Sequence, residues 1–170
     1  MYVFEVLMQI YVSEGYAERD AAKLILEKNI YGLDIDRRAY QLAYFSLLMK
    51  ARQYSRRILT QGVKPQVYCP GDYADGQEYG SLVRVEKLEE KPAEPTGQMT
   101  IGQSYESKLN TWNFRRLLAQ KYDVVVTNPP YLNNFEGKLK EYAQTEYRDY
   151  CTDLFSIFIY RNLLMTKKDG

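Results

Sequence analysis

The stretch NIYGLDIDRRAYQLAYFSLLMKAR, residues 29–52, is a brief apolar run that ends on acids and passes at once into a long helical pattern. The run up to Leu33 suits a short strand, Asp34 to Asp36 an acidic turn, and the remainder a helix in which Leu42, Ala43, Ser46 and Met49 share a face. Asp36 stands where an N-cap belongs, which explains it better than a ligand role does. Strand, turn and helix in this order begin a parallel crossover unit. In sheets built from such units, ligands collect at the carboxyl ends of the strands, and the acids of "DID" fall there.

Outward from this stretch the alternation continues. Upstream, Val3, Val6, Leu7, Ile10 and Tyr11 recur at helical spacing until Gly15 stops them, and a second helix from about Ala17 to Lys28 is expected to bury Ala21, Leu24 and Ile25. Downstream, "PQVYC" reads as a short strand and "PGDYADGQEYG" as a loop. Residues 84–100 mix charge with proline and read as an exposed excursion. A helix near Asn110 is expected to bury Trp112, Leu117 and Leu118 and to deliver the chain to a buried strand, "VVVT", at 124–127. A polar loop containing Lys138 and Lys140 and an apolar helix, "DLFSIFIYRNLLM", complete the pattern. The fold class this predicts is α/β with a parallel sheet.

Composition removes several chemistries. The 170 residues suit one core rather than two full domains. There is no histidine, so Ser/His and Cys/His nucleophilic pairs and His-containing metal sites are unavailable, and no metal is expected. Cys69 and Cys151 are isolated thiols that fit a reducing cytoplasm. The first segment carries Glu5 and Gln9 and does not read as a membrane span or signal peptide, so a cytoplasmic protein is expected. The net charge of +1 hides a basic cluster, Lys50, Arg52, Arg56 and Arg57, and an acidic one, Glu86, Glu89, Glu90 and Glu94.

The most specific signal is "NPPY" at 128–131, directly after an apolar run. Two prolines cannot donate to a ladder, so they end a strand in a rigid turn whose carbonyls lack their usual partners. Asn128 adds an amide oxygen beside such a carbonyl, and Tyr131 adds a flat apolar face. Two acceptors under a stacking surface make a seat for a planar amine; Asn-Pro by itself is merely a common turn former.

With these motifs in place, the chain resembles S-adenosylmethionine-dependent amino-methyltransferases: "VVVTNPPY" is similar to their signature and "NIYGLDIDRRA" to their acid-bearing second strand. Together with "YGSLV" at 79–83 and "YDVVVTNPPYLNN", the resemblance is strongest to adenine-specific DNA methylases of the bacteriophage-exclusion type and to restriction-modification fusion methylases. It implies a Rossmann-like methyltransferase sheet with mainly parallel strands and flanking helices, S-adenosylmethionine as cofactor and double-stranded DNA as partner. Asp34 then corresponds to the carboxylate that holds the cofactor ribose, and Ile35 either to a residue packed on its adenine or to an ordinary buried aliphatic. The acceptors at Asn128 and Pro129 would hold the amino hydrogens of a flipped adenine, Pro130 would stiffen the turn, and Tyr131 would stack on the base. The segment 153–158 would wall the pocket.

The resemblance also implies what is missing. The first strand with its glycine-rich cofactor loop and the later strands find no counterpart, so residues 1–170 are expected to form a partial methyltransferase catalytic domain, truncated at both ends, with 84–106 as an exposed insertion. Alone, such a piece is expected to be inactive and to self-associate through uncovered sheet edges. Methylation of a protein glutamine amide and a non-catalytic scaffold role remain open beside adenine-N6 methylation. Cytosine carbon methylation is disfavoured because "YCPGD" places its proline after the cysteine.

Overall fold

A computed structural model describes residues 1–69, 79–94, 105–130 and 135–169. The chain divides into two compact units, 1–70 and 71–170. The first contains α1 (Tyr2–Ser13), α2 (Glu18–Leu24), a π-helical turn (Ile25–Asn29), β1 (Tyr31–Leu33), α3 (Arg37–Tyr54) and β2 (Gln66–Tyr68). The second contains a 3-10 turn (Gly80–Leu82), α4 (Tyr105–Ala119), α5 (Lys138–Glu146), a 3-10 turn (Arg148–Tyr150) and α6 (Leu154–Met165).

In the first unit β1 and β2 are parallel, with Tyr31 opposite Gln66, Gly32 opposite Val67 and Leu33 opposite Tyr68. A parallel pair needs a long crossover, and α3 supplies it. Gly32 permits the close approach of β2: a Cβ there would lie 3.2 Å from a methyl of Val67. Helix α1 ends as expected, at Gly15 with φ 87°. Its packed face is not the one the valines suggest, however. Phe4 and Met8 are buried while Val3 and Ile10 are exposed.

The same correction applies to α3. Leu42 is 67% exposed, and the face that packs runs through Tyr40, Leu47, Leu48, Ala51 and Tyr54. The reason is that tyrosines supply both ends of the apolar stripe at positions 40, 47, 51 and 54, spaced i, i+7, i+11, i+14. Over this core the Tyr54 hydroxyl donates to Glu5 at 2.5 Å, and Lys50 pairs with the same carboxylate.

The second unit is organised around Arg161, which is 6% exposed. Its Nε donates to the carbonyl of Ser81 (3.0 Å) and its Nη2 to those of Val83 (3.0 Å) and Leu118 (3.1 Å). The Tyr147 hydroxyl, fully buried, donates to Leu82 (2.6 Å). A segment with no sheet neighbour among the described residues thus has its acceptors satisfied by side chains. Burial pushes the Arg161 guanidinium down and the Tyr147 phenol up, and the Tyr147 and Tyr142 rings partly offset the first shift. Leu82, Ala143, Tyr147, Leu154 and Ile157 pack beside this clamp.

Three expectations fail in this unit. Residues 124–130 form no strand: among the described residues pairing here is a parallel bridge, Tyr122 with Thr166, and Val124 and Val126 are 77% and 84% exposed. Strand character needs a neighbour to pair with and a face to bury, and among the described residues this run has neither beyond Tyr122. The polar loop expected at Lys138 and Lys140 is α5, since lysine, glutamate, glutamine and alanine are good helix formers. The excursion ends before residue 106, because Tyr105 and Glu106 open α4. Trp112 is half-buried, and its indole nitrogen donates to the carbonyl of Glu89 (2.9 Å).

Two outcomes are expected. Arg161→Met leaves three carbonyls without their donor and lowers stability by roughly 3 kcal/mol, read as a fall in the denaturant midpoint; an unchanged midpoint means the clamp is dispensable. The second concerns pH. Hydrogen bonding to Lys50 and then to Tyr54 holds the Glu5 carboxyl below its usual 4.5, so its contribution is present above that value and fades as pH falls below it. The bond to Glu5 raises the Tyr54 phenol from 10.0 to about 12, so its contribution is complete below pH 10.0 and is lost as pH rises through about 12. Glu5→Gln is expected to flatten both limbs of a melting-temperature profile.

Candidate functional site

The acidic turn lies at the carboxyl end of β1. The backbone N–H of Asp34 donates to the carbonyl of Tyr68 (3.2 Å), which ties it to the end of β2. Its carboxylate Oδ1 accepts the N–H of Asp36 (2.8 Å), and among the described residues the second oxygen has no hydrogen-bond partner. Asp34 is exposed, and Ile35 beside it is 55% exposed rather than an ordinary core aliphatic. Asp36 is the N-cap that the sequence suggests: its Oδ1 accepts the N–H of Arg38 (2.8 Å), and that bond holds its carboxyl below the usual range.

Nothing in the sequence pattern assigns Cys69 to this turn, yet its thiol donates to the carbonyl of Ile35 at 3.6 Å. The thiol is buried, and burial, then the Asp34 charge, push it up. It therefore stays protonated and able to donate. Its place at the end of the "PQVYC" strand is the one signal that could have linked it to the acids.

An exposed carboxylate with one oxygen committed to the turn and the other without a partner among the described residues can accept from a ribose hydroxyl, and the exposed Ile35 offers an apolar contact beside it. These residues fit the ribose and adenine of a nucleoside cofactor. No comparable grouping exists for a metal: among the described residues no three of Cys, Asp and Glu converge to hold an ion.

The Asn128-Pro129-Pro130 turn belongs to the second unit. Asn128 and Pro130 are exposed and Pro129 is buried, so the segment is anchored at its middle residue. Asn128 already has an interaction partner in the chain. Tyr131 lies outside the described residues. Asp153, at the head of the segment expected to wall the pocket, caps α6 by accepting from the Ser156 N–H (2.7 Å) and hydroxyl (3.0 Å). The structure thus gathers Asp34, Ile35, Asp36 and Cys69 at one turn, while Asn128, Pro129 and Pro130 belong to the other unit.

No helix of the described residues is long and apolar enough to cross a membrane. The chain is 33% identical over its whole length to an adenine-specific methyltransferase PglX of Lacticaseibacillus casei (strain Zhang), covering 18% of that protein. It is 31% identical, over 98% of its length, to an adenine-specific methyltransferase BrxX of Escherichia coli O9:H4 (strain HS), covering 19% of that protein. The chain therefore spans less than a fifth of the length of these curated relatives. The family model described as Eco57I restriction-modification methylase matches residues 28–170, from the turn before β1 to the last residue, and the chain belongs to this family of restriction-modification methylases.

Proposed function

We propose that the chain is part of the catalytic region of an S-adenosylmethionine-dependent enzyme that methylates adenine N6 in double-stranded DNA, within a restriction-modification or phage-defence system in the cytoplasm. The observation that carries this reading is the exposed Asp34 carboxylate on the turn between β1 and α3, in a chain that also holds Asn128-Pro129-Pro130-Tyr131. In this reading the parallel pair is the start of a larger Rossmann-like sheet.

The division of labour follows from the donors and acceptors present. Asp34 holds ribose hydroxyls and Ile35 contacts the adenine of the cofactor. When bound, S-adenosylmethionine supplies an electrophilic methyl group. Adenine N6 is a weak nucleophile because its lone pair is delocalised into the ring. The Asn128 amide oxygen and the Pro129 carbonyl accept its two hydrogens and favour a geometry in which the lone pair is localised. They also stabilise the positive charge that develops on N6, which gains a methyl and then releases one proton to solvent. No histidine base is needed. Pro130 stiffens the turn, and Tyr131 stacks on the base after it leaves the duplex. A glutamine amide has similar hydrogen-bonding chemistry, but both relatives are named adenine-specific.

Transfer of labelled methyl groups from S-adenosylmethionine into DNA by the intact protein of which this chain is a part, measured beside transfer into protein, tests the assignment; label in protein alone overturns it. In the intact protein of which this chain is a part, Asn128→Ala is expected to slow transfer by about 100-fold to 1000-fold with little change in cofactor affinity, and near-normal turnover would sink the double-acceptor mechanism. Tyr131→Phe is expected to be mild and Tyr131→Ala to cost roughly 1–3 kcal/mol of base binding. If both variants are equally damaged, the hydroxyl rather than the ring is the working part.

A further inference from the structure

We propose that an open basic cleft beyond the carboxyl end of α3 holds the sugar-phosphate backbone of DNA flanking the site of methylation. The cleft has a volume of about 800 Å³ and is lined by Arg19 and Lys23 of α2 and by Tyr54, Arg56 and Arg57 at and after the end of α3. A second hollow of about 330 Å³ shares Arg56 and adds Arg52. The sole acid in either lining is Asp20, which pairs with Arg19 at 3.6 Å. Among the described residues no carboxylate pairs with Lys23, Arg52, Arg56 or Arg57.

The fold presents these cations rather than merely tolerating them. Arg19 and Lys23 are four residues apart on α2, whose opposite side is fixed by the fully buried Ala21 and Ala22. Helix α3 breaks at Ser55, which is buried and whose carbonyl accepts the N–H of Ile58 at 3.1 Å. Ile58 is itself fully buried. Arg56 and Arg57 are therefore held outward by a turn pinned on both sides. Five cations with one acid among them repel one another, and a polyanion relieves that repulsion.

Spread over two adjoining hollows, the charges match a chain of phosphates better than a single one. Contacts to phosphate fix register without reading base edges, so the contact proposed here is sequence-independent. The 18 residues of α3 separate this cleft from Asp34 by about 27 Å, or about eight base pairs of duplex. The cleft thus lies away from the Asp34 corner, and its proposed role is to grip the flank. The flanking role rests on the DNA reading above, but the binding does not depend on methyl transfer.

The test is the binding of a fluorescent duplex of about 30 base pairs and arbitrary sequence between about 50 and 200 mM salt. The triple variant Lys23→Gln/Arg56→Gln/Arg57→Gln, all at exposed positions, is compared with the exposed control Lys87→Gln/Lys91→Gln. The triple variant is expected to bind at least about tenfold more weakly and to flatten the slope of log K against log salt by about 2 to 3, some 0.9 for each phosphate no longer neutralised. Its affinity for S-adenosylmethionine is expected to be unchanged. Absence of DNA binding by the parent chain, an unchanged slope, or an equal loss in the control overturns the proposal. So does micromolar binding of inorganic pyrophosphate that the triple variant abolishes while DNA binding persists. DNA binding through the cleft by an intact protein that transfers no methyl group supports the cleft and overturns only the enzymatic reading.

Discussion

Two parallel strands cannot be joined by a tight turn, and the first unit is arranged around that constraint. The crossover from β1 to β2 is carried by α3, so one end of the helix meets the carboxyl end of β1 and the other lies a helix length away. The N-terminal end receives Asp34, Ile35 and the capping Asp36; the far end receives Arg56 and Arg57. The helix thereby separates an acidic corner from a basic one. Their chemistry differs, but one backbone requirement positions both.

The second unit meets its backbone requirements in another way. Among the described residues it contains a single parallel bridge, so the carbonyls of 81–83 are satisfied from the side by Arg161, Tyr142 and Tyr147. Stacked rings, Tyr79 on Tyr142 at 4.2 Å and Tyr150 on Tyr160 at 4.3 Å, surround this clamp. Tyrosine suits the task because one side chain brings both apolar area and a donor. The piece "YGSLV" owes its form to residues that lie some 60 to 80 positions downstream.

Local signals are legible in the sequence where the cause is local. The strand at Tyr31–Leu33, the cap at Asp36, the short strand at Gln66–Tyr68 and the stop at Gly15 each follow from a few adjacent residues. The packed face of α3 escapes a hydrophobic pattern because its tyrosines count as polar there yet bury their rings. The "VVVT" run misleads because strand identity belongs to a sheet, not to a run of valines. Cys69 and Ile35 are 34 residues apart, and no spacing rule links them. The acids of the candidate site are legible; the cleft is so only in half, since Arg56 and Arg57 form a visible cluster while Arg19 and Lys23 join it only in space.

The π-helical turn between α2 and β1 bears on how this chain can tolerate insertions and deletions. There the N–H of Ile30 reaches the carbonyl of Ile25 (3.1 Å), one residue further than an α-helical bond spans. The wider turn accommodates an extra residue while keeping Ile25 and Leu26 both buried. Removing one residue here, Glu27 for instance, would tighten the turn to α-helix and draw β1 back by one position. In a strand that shift exchanges the two faces, so Leu33 would replace Gly32 opposite Val67, where an added Cβ would meet a methyl at 3.2 Å. The length of this turn therefore fixes the phase of the strand and, with it, the direction in which the Asp34 carboxylate points.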